Sequence, residues 1–235
     1  MATVAPILAL LSGATALIGL LGAYLGLLSP LVGFQLFAAG ALLGGLVTLI
    51  VSVVALVTTR GGRDPEGRRK ALVGTGTGLA LLFVVLGAGS AGRDAPPIND
   101  ITTDLEDPPR FASAEAVPAY AGRDMSYPED FVPIVAEHYP DLRSIELDVS
   151  QAVAFERALA AAEALGWEVV WSDPESGRFD ARDRSALFRF VDDVAVRVEP
   201  HEAGARIDLR SKSRDGRGDL GANAARIRAF AEQIR

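Results

Sequence analysis

The first 59 residues form a continuous apolar stretch that contains no Asp, Glu, Lys or Arg. A bilayer core of roughly 30 Å needs about 20 apolar residues in a helix, so this stretch is long enough for two spans. Ser29 and Pro30 mark the turn between them, because proline disfavours helical backbone in the residue before it and begins a helix readily. The pattern predicts spans at residues 4–28 and 31–59.

A third uncharged stretch, residues 71–90, follows a polar loop at 60–70 that contains five Lys or Arg residues. Cytoplasmic loops are enriched in Lys and Arg, so this loop predicts a cytoplasmic N-terminus and a third span that leads outward. In a bacterial inner membrane the rest of the chain is then periplasmic. A signal peptide is the alternative for the first segment, but the basic start that it needs is absent. No ionisable residue lies inside a predicted span, which disfavours an ion pump.

Each predicted span contains two glycines spaced four residues apart. Such pairs let helix backbones approach closely. They can pack the three spans of one chain together, or dock them against another membrane protein or a second copy of the chain. Besides the lipid bilayer, a membrane-protein partner and a homo-oligomer therefore stay open. The pairs are Gly22 with Gly26, Gly40 with Gly44, and Gly74 with Gly78.

After the spans, residues 91–141 form a connector that holds eight of the chain's 13 prolines. This composition favours polyproline II and turns over helix. Apolar side chains such as Phe111, Tyr120 and Phe131 occur at intervals, so the segment differs from a disordered linker. We expect the connector to lie extended along the surface of the domain that follows.

Residues 142–235 have the pattern of a compact α+β domain. Alternating apolar and polar positions predict strands at 144–149, 167–171, 178–182, 188–199 and 205–213. One helix is predicted from the cap Ser150 to Leu165, with Gly166 as its stop, and another at 219–235. The order strand, helix, four strands, helix predicts an antiparallel sheet of about five strands with two helices on one face.

Alternation along the long hairpin separates an apolar face from a charged face. The charged face is either solvated and joined by cross-strand ion pairs, or a platform for an anionic ligand or a partner. Asp192 falls on the apolar face, and Asn223 falls in the apolar stripe of the last helix. An unpaired polar group is costly there, so Asn223 is expected to bond a strand end near 211–214 and lock the helix to the hairpin. The charged residues are Arg189, Asp193, Arg197, Arg206, Asp208 and Arg210, which Asp180 and Arg182 can join.

Composition narrows the chemistry of the domain. The chain has no Cys and two His, so we expect no disulfide, no thiolate nucleophile, no metal site and no cofactor. Residues 91–235 hold 28 acidic and 18 basic residues, which disfavours nucleic acid as a partner. The glycine pattern at 216–221 precedes a helix but no returning strand, which disfavours dinucleotide binding. Ser211 and Ser213 have no evident His partner for a hydrolase triad.

Several segments together resemble the family catalogued as domain of unknown function 1499. They are Pro97-Ile-Asn-Asp-Ile-Thr-Thr-Asp104 with Pro108-Pro109, Gly166-Trp167, Phe190-Val-Asp-Asp-Val194 with Arg197, Asp208-Leu-Arg-Ser-Lys-Ser-Arg214, and residues 219–227. The resemblance covers roughly residues 95–235 and leaves the three spans outside it. It implies no assigned activity or ligand, but it adds Asn99, Asp100 and Thr102 to the matched polar positions.

The polar residues near the C-terminus make the candidate ligand-binding set, and no residue is singled out as catalytic. We expect a non-enzymatic envelope protein whose external domain binds a partner protein or an anionic envelope component through the 210–226 region. The set consists of Asp193, Arg197, Arg210, Ser211, Ser213, Arg214, Asp219, Asn223 and Arg226.

The alternative is a membrane-tethered enzyme that acts on a lipid or cell-wall substrate. Asp192 or Asp193 would be its general base, and Arg210 or Arg214 would clamp an oxyanion. Adjacent strand residues point to opposite faces, so the two aspartates do not act together without a bulge. A cleft that gathers Asp193, Arg210, Asp219 and Asn223 would favour the enzyme, whereas a charged face with every arginine paired would favour the binding protein.

Overall fold

The structure, a computed structural model, describes residues 2–62, 64–88, 92–202 and 204–235. Its contacts divide the chain into two compact units. The first unit comprises Met1–Arg93 together with the short segment Ser185–Arg189, and the second comprises Asp94–Arg184 with Phe190–Arg235.

The first unit contains three helices that are long and apolar enough to cross a membrane, as the sequence predicts. Helix α1 is Val4–Tyr24 and α4 is Pro65–Ala88. Between them, α2 at Pro30–Ala38, a π-helical segment at Ala39–Gly44 and α3 at Gly45–Thr58 follow one another as a single candidate span, Pro30–Thr58.

The ends of these helices differ from the predicted ones for local reasons. Helix α1 ends at Tyr24, four residues early, and Gly26 in the turn that follows has φ +71°. Helix α4 begins at Pro65, six residues before the predicted span, because proline suits a first helical position and an Asp64 carboxylate oxygen accepts the Gly67 N–H at 2.8 Å. The predicted end of the third span, 89–90, lies outside the described residues.

Glycines of the predicted pairs lie at close contacts between helices of the same chain. A methyl group on Gly40 would come within 2.5 Å of the Ala16 amide nitrogen, and one on Gly78 within 2.9 Å of the Gly45 carbonyl oxygen. Only glycine lets the backbones approach this closely. These two glycines therefore pack the helices of one chain together.

The second unit is built on an antiparallel sheet of six strands, which confirms the predicted fold class. The strand order is β1-β6-β5-β4-β3, and β2 pairs with the other end of β6. The strands are β1 Asp100–Thr102, β2 Ile145–Leu147, β3 Glu168–Asp173, β4 Arg178–Arg184, β5 Val191–His201 and β6 Gly204–Ser213.

Two strands depart from the prediction. Strand β1 comes from the connector and pairs with β6, where Asp100 lies opposite Lys212. Strand β5 begins at Val191 rather than at residue 188, because Arg189 has φ 61° and breaks the extended backbone that alternation assumes. Phe188 and Phe190 consequently do not belong to the buried core.

One face of the sheet, called the helix face below, is packed by helices. They are α5 Phe131–His138, α6 Gln151–Ala164 and α7 Ala222–Gln233. Ser150 caps α6 as predicted, with its hydroxyl accepting the Val153 N–H at 3.4 Å. The extended backbone expected over 131–138 was wrong, since this segment is α5. The core includes Phe179, Val194 and Ile207, and Trp167 stacks on Phe230 of α7 with ring centroids 5.4 Å apart.

The opposite face, called the connector face, is covered by residues 104–127 of the connector. Phe111, Val117 and Tyr120 form a second buried cluster against Ala195 of β5. Of the two alternatives for the charged face, the solvated one is therefore wrong over much of its area. The apolar anchors of the connector exclude water from charged strand positions, and those charges need partners within the chain.

Candidate functional site

The structure divides the predicted site residues between the two faces of the sheet. Along β6, Ser211 and Ser213 point to the helix face, whereas Arg210 points to the connector face, because successive strand residues alternate. Asn223 and Arg226 of α7 join the helix face. Asp193, Arg197 and Arg214 join the connector face, and Asp219 lies in the turn before α7. Asp193, Arg210, Asp219 and Asn223 are therefore not gathered in one cleft.

On the helix face, Asn223 links α7 to the end of β6, as predicted, and also to the residue before β1. Its side-chain oxygen accepts the Ser211 hydroxyl at 2.6 Å, and its amide donates to the Ser213 hydroxyl at 3.0 Å. The same amide donates to the Asn99 carbonyl oxygen at 3.2 Å. Asn223 and Ser211 are fully buried. A buried amide with all these partners stabilises one fixed position of the helix on the sheet.

Arg226 neutralises the aspartate that alternation places on the apolar face. It donates to Asp192 at 2.6 Å and to Asp183 at 2.9 Å. A third donor group reaches the Ser211 hydroxyl at 3.0 Å and the Asn223 side-chain oxygen at 2.8 Å. Asp192 is thus a paired carboxylate rather than a free base.

Asp219 caps α7. One carboxylate oxygen accepts the Gly221 N–H and the other accepts the Asn223 N–H, each at 2.8 Å. Gly221 has φ 83°, a left-handed conformation that favours glycine and delays the helix to Ala222. The N–H groups that an external anion would use at this helix end are therefore occupied by Asp219.

On the connector face, Arg210 is buried with a carboxylate of β1. Its guanidinium makes two hydrogen bonds to Asp100, at 2.9 and 2.7 Å, and a third to the Ser126 carbonyl oxygen at 2.8 Å. The guanidinium lies over the rings of Phe111 and Tyr127, 4.9 and 5.2 Å from their centroids. Arg210 is 2% exposed and Asp100 is 0% exposed. Arg210 therefore has no surface for an external partner.

Arg214 and Asp193 form a second pair on this face, with hydrogen bonds of 2.8 and 2.6 Å. Asp193 is 1% exposed, and the Arg214 carbonyl oxygen accepts Arg123 of the connector at 3.1 Å. The carboxylate proposed as a general base is consequently held by the arginine proposed as an oxyanion clamp.

Asp180 of β4 is a buried carboxyl without an arginine in direct contact. Burial raises the pKa of Asp180 to about 6, although the Ala112 N–H that donates to it at 2.8 Å acts in the opposite direction. The Tyr120 hydroxyl interacts with this carboxyl but does not reach full hydrogen-bond geometry. Burial, reinforced by the Asp180 charge, in turn raises the pKa of Tyr120. The sequence pattern predicted Asp180 only as a residue of the charged face.

Arg197 closes the opposite end of the connector face. It donates to Asp107 at 2.6 Å and to Asp104 at 2.9 Å, and it lies 3.2 Å from Asp208. Arg206 donates to Asp208 at 2.8 Å and also reaches Asp104. The connector acids Asp104 and Asp107 were not predicted as partners, because nothing in a proline-rich segment tells which strand it will cover.

The arrangement has a clear chemical consequence. Every arginine of the candidate set is paired with a carboxylate of the same chain, and each pair is wholly or partly shielded from water. Within the described ranges, no three His, Asp or Glu side chains are grouped so as to hold a metal ion. The candidate residues stabilise the sheet, the connector and α7.

Breaking the Arg210 pair should destabilise the domain strongly. We expect Arg210→Gln to lower the free energy of unfolding by about 3 kcal/mol, since it removes one partner of a buried ion pair and leaves Lys212, which donates to Asp100 at 2.9 Å, as the remaining cation. Unfolding in urea can be followed in the full chain, because its two tryptophans, Trp167 and Trp171, both lie in the sheet domain.

The matched control for Arg210 is Arg228→Gln. Arg228 also makes two hydrogen bonds to one aspartate, Asp141, but the two side chains are 43% and 52% exposed. An exposed pair contributes about 1 kcal/mol or less. Equal effects of the two substitutions would contradict the burial of the Arg210 pair.

Burial of Asp180 should make the domain less stable as the pH rises. The folded pKa of about 6 exceeds the ordinary 3.8, so the unfolded chain loses its proton first and stability falls between about pH 4 and 6. The full difference corresponds to about 3 kcal/mol, since a tenfold change in proton affinity equals about 1.4 kcal/mol. Asp180→Asn should remove this decline and be more stable than the wild type at pH 8, as measured by urea unfolding.

The control for Asp180 is Asp141→Asn. The hydrogen bond from Arg228 lowers the pKa of Asp141. The contribution of Asp141 to the stability of the domain is therefore lost as the pH falls, which is the opposite of the effect of Asp180. Asp141→Asn should leave the decline between pH 4 and 6 in place. A wild-type stability that stays level over this interval, or an Asp180→Asn variant that retains the decline, would contradict the prediction.

Comparison with known proteins agrees with the extent of the second unit. No curated protein matches the chain. The sequence model of the family described as "Protein of unknown function (DUF1499)" matches residues 100–234, from the first residue of β1 to just beyond α7. The match covers more than half of the chain and leaves out the three candidate membrane helices. The protein therefore belongs to the DUF1499 family.

Proposed function

We propose that the protein is an anchored binding protein of a bacterial inner membrane. Its N-terminus is cytoplasmic, its sheet domain lies outside the membrane in the periplasm, and the domain binds a partner protein or an anionic envelope component. Support for the orientation is the loop 60–70 with its five Lys or Arg residues, against none in the loop around Ser29.

The observation that favours a binding role over catalysis is that the candidate carboxylates are already engaged within the chain. A general base needs a lone pair within reach of the substrate proton. Asp192 is held by Arg226, Asp193 by Arg214, and the Asp219 carboxylate caps α7. These contacts support a domain whose arginines and carboxylates keep the fold rigid and whose partners bind at its exposed loops.

Burial limits which residues of the 210–226 region are accessible to a partner. Arg210, Ser211 and Asn223 have almost no exposed area, whereas the turn after β6 is open to solvent. Arg217 in this turn is exposed and has no paired carboxylate among the salt bridges of the described residues. We therefore assign the contact with an acidic partner or ligand to Arg217 and its neighbours.

One observation favours the alternative, a membrane-tethered enzyme that acts on a lipid or cell-wall substrate. A carboxyl whose pKa is raised to about 6, as for Asp180, is typical of acid–base catalysts. Asp180 is 1% exposed beneath the connector, however, so a substrate has no access to it in this conformation. The binding role is the better supported of the two.

The orientation can be tested with reporter fusions on the full chain. A reporter that is active only in the periplasm should work when fused after Arg235 and be silent when inserted at Gly62. The measured quantity is reporter activity at equal levels of membrane-inserted fusion protein. The reverse pair of results would place the sheet domain in the cytoplasm and overturn the proposed location.

The binding role can be tested by purification of the full chain in mild detergent, with mass spectrometry of the bound lipids and proteins. Arg217→Glu should lose components that co-purify with the wild type, because it reverses an exposed charge without removing an ion pair. Arg157→Glu, on the exposed side of α6, is the control with the same change of charge. An identical set of components in the wild type and both variants would contradict a binding role for the turn.

A further inference from the structure

Two loops lie at the end of the sheet where β1 begins. Strand β1 runs antiparallel to β6, with Asp100 opposite Lys212, and the Asn99 carbonyl oxygen accepts the Ser213 N–H at 2.8 Å, so the start of β1 lies beside the C-terminal end of β6. Asp192, at the start of β5, is opposite Ser213, at the end of β6, so the β4–β5 loop is at the same end. The turn after β6 packs there too, since the Asp219 N–H donates to the Ile98 carbonyl oxygen at 3.2 Å.

These loops expose large apolar side chains. Among the described residues that follow α4, the exposed large hydrophobic side chains are Val153, Leu187 and Leu220. Leu187 in the β4–β5 loop is 60% exposed, and Leu220 in the turn after β6 is 64% exposed. Leu220 has φ 54°, an unusual conformation for a bulky residue and one that indicates a constrained loop.

A single exposed leucine is ordinary, but the neighbour of Leu187 adds an independent observation. The segment Ser185–Arg189 belongs to the first unit, together with the candidate membrane helices. Within that unit, the Phe188 ring packs edge-on against Phe34 and Phe37 of the second candidate span, with centroids 5.4 and 5.3 Å apart. The backbone that carries Leu187 therefore belongs to a segment in contact with a membrane helix.

Exposed arginines lie on both of these loops. Arg184 and Arg189 flank the β4–β5 loop, and Arg217 precedes Leu220; all three are exposed. Arg184 lies 3.8 Å from Glu168, and Arg217 shares its turn with Asp215 and Asp219, so Arg189 and Arg217 are the cations without a salt bridge among the described residues. The turns at the opposite end carry acidic side chains instead, namely Glu175 between β3 and β4 and Glu202 between β5 and β6. Exposed apolar residues beside arginines are typical of segments that bind the interface of an anionic bilayer.

We propose that the β4–β5 loop and the turn after β6 bind the surface of the lipid bilayer itself. Leu187 and Leu220 insert at the boundary between headgroups and acyl chains, and Arg184, Arg189 and Arg217 contact the phosphates of anionic lipids. This inference deepens the proposed function, on which it rests for the membrane location, because it names anionic lipid as the component that the Arg217 region binds. It holds for either orientation of the chain.

The absence of Cys from the chain allows a direct test. Leu187→Cys and Leu220→Cys are introduced singly into the full chain, labelled with an environment-sensitive fluorophore and reconstituted in vesicles of phosphatidylethanolamine and phosphatidylglycerol. We expect blue-shifted emission, quenching by lipids with brominated acyl chains, and several-fold weaker quenching by aqueous iodide than at an exposed control position. Unfolding followed by Trp fluorescence verifies that each labelled variant is folded.

Two controls match these positions. Val153→Cys replaces the remaining exposed large hydrophobic residue, on α6, and Glu175→Cys lies in a turn at the opposite end of the sheet. Both labels should be quenched by iodide and not by brominated lipid. Labels at 187 and 220 that behave like these controls would overturn the proposal, and so would labels shielded from both quenchers, because protein would then cover the loops.

The role of the arginines is tested in the same assay. In vesicles of phosphatidylcholine alone, lipid quenching of the labels at 187 and 220 should be weaker than with phosphatidylglycerol, and Arg189→Gln with Arg217→Gln should remove the difference. Equal quenching in both kinds of vesicle would overturn the recognition of anionic headgroups. Failure here leaves the reporter fusions unaffected, so it is distinguishable from failure of the proposed membrane location.

Discussion

The pair between Arg210 and Asp100 joins two strands that are 110 residues apart in the chain. Both side chains are almost completely buried, and a buried charge is tolerated only with a partner and further hydrogen bonds. The pair therefore fixes the connector as well as β1: Ser126 supplies a carbonyl oxygen, and Phe111 and Tyr127 enclose the guanidinium. Once the connector lies across this face, Asp180 and Asp193 also lose contact with water, and Arg197 becomes largely buried.

This dependence explains why the domain has charge on both faces of its sheet. On the helix face, Arg226 compensates Asp192 and Asp183, and Asn223 satisfies hydroxyl groups of β6. On the connector face, acids of the connector compensate arginines of the strands. Replacement of one member leaves its partner buried with less compensating charge, so the ion pairs specify a single arrangement of strands, connector and α7 more than they add net stability. Asp180 is the exception, because its nearest polar partners are an amide and a phenol.

The features that sequence predicted best depend on residues close together in the chain. The spans follow from local apolar length, the Ser150 cap from the residues beside it, and the core of the hairpin from alternation at Val194, Val196 and Val198. The position of Asn223 in an apolar stripe similarly predicted its bonds to the hairpin. Alternation also identified which charged residues share a face. It does not tell whether that face meets water or another segment, so the burial of Arg210 was missed. Strand β1 was missed for the same reason, since a strand of three residues is defined by its distant partner.

The difference between charges paired inside the domain and charges free on its loops indicates where a ligand can bind. A charge that is fully used within the chain cannot bind a ligand unless its ion pair opens, which at Arg210 would expose the core of the connector face. A charge on an exposed loop can bind a ligand without the opening of a buried ion pair. Arg189 and Arg217 extend from loops whose backbones are fixed by neighbouring strands, and each lies within three residues of an exposed leucine. The proposed recognition of anionic lipid combines rigid loops with free charge, and the end of the sheet where β1 begins provides both.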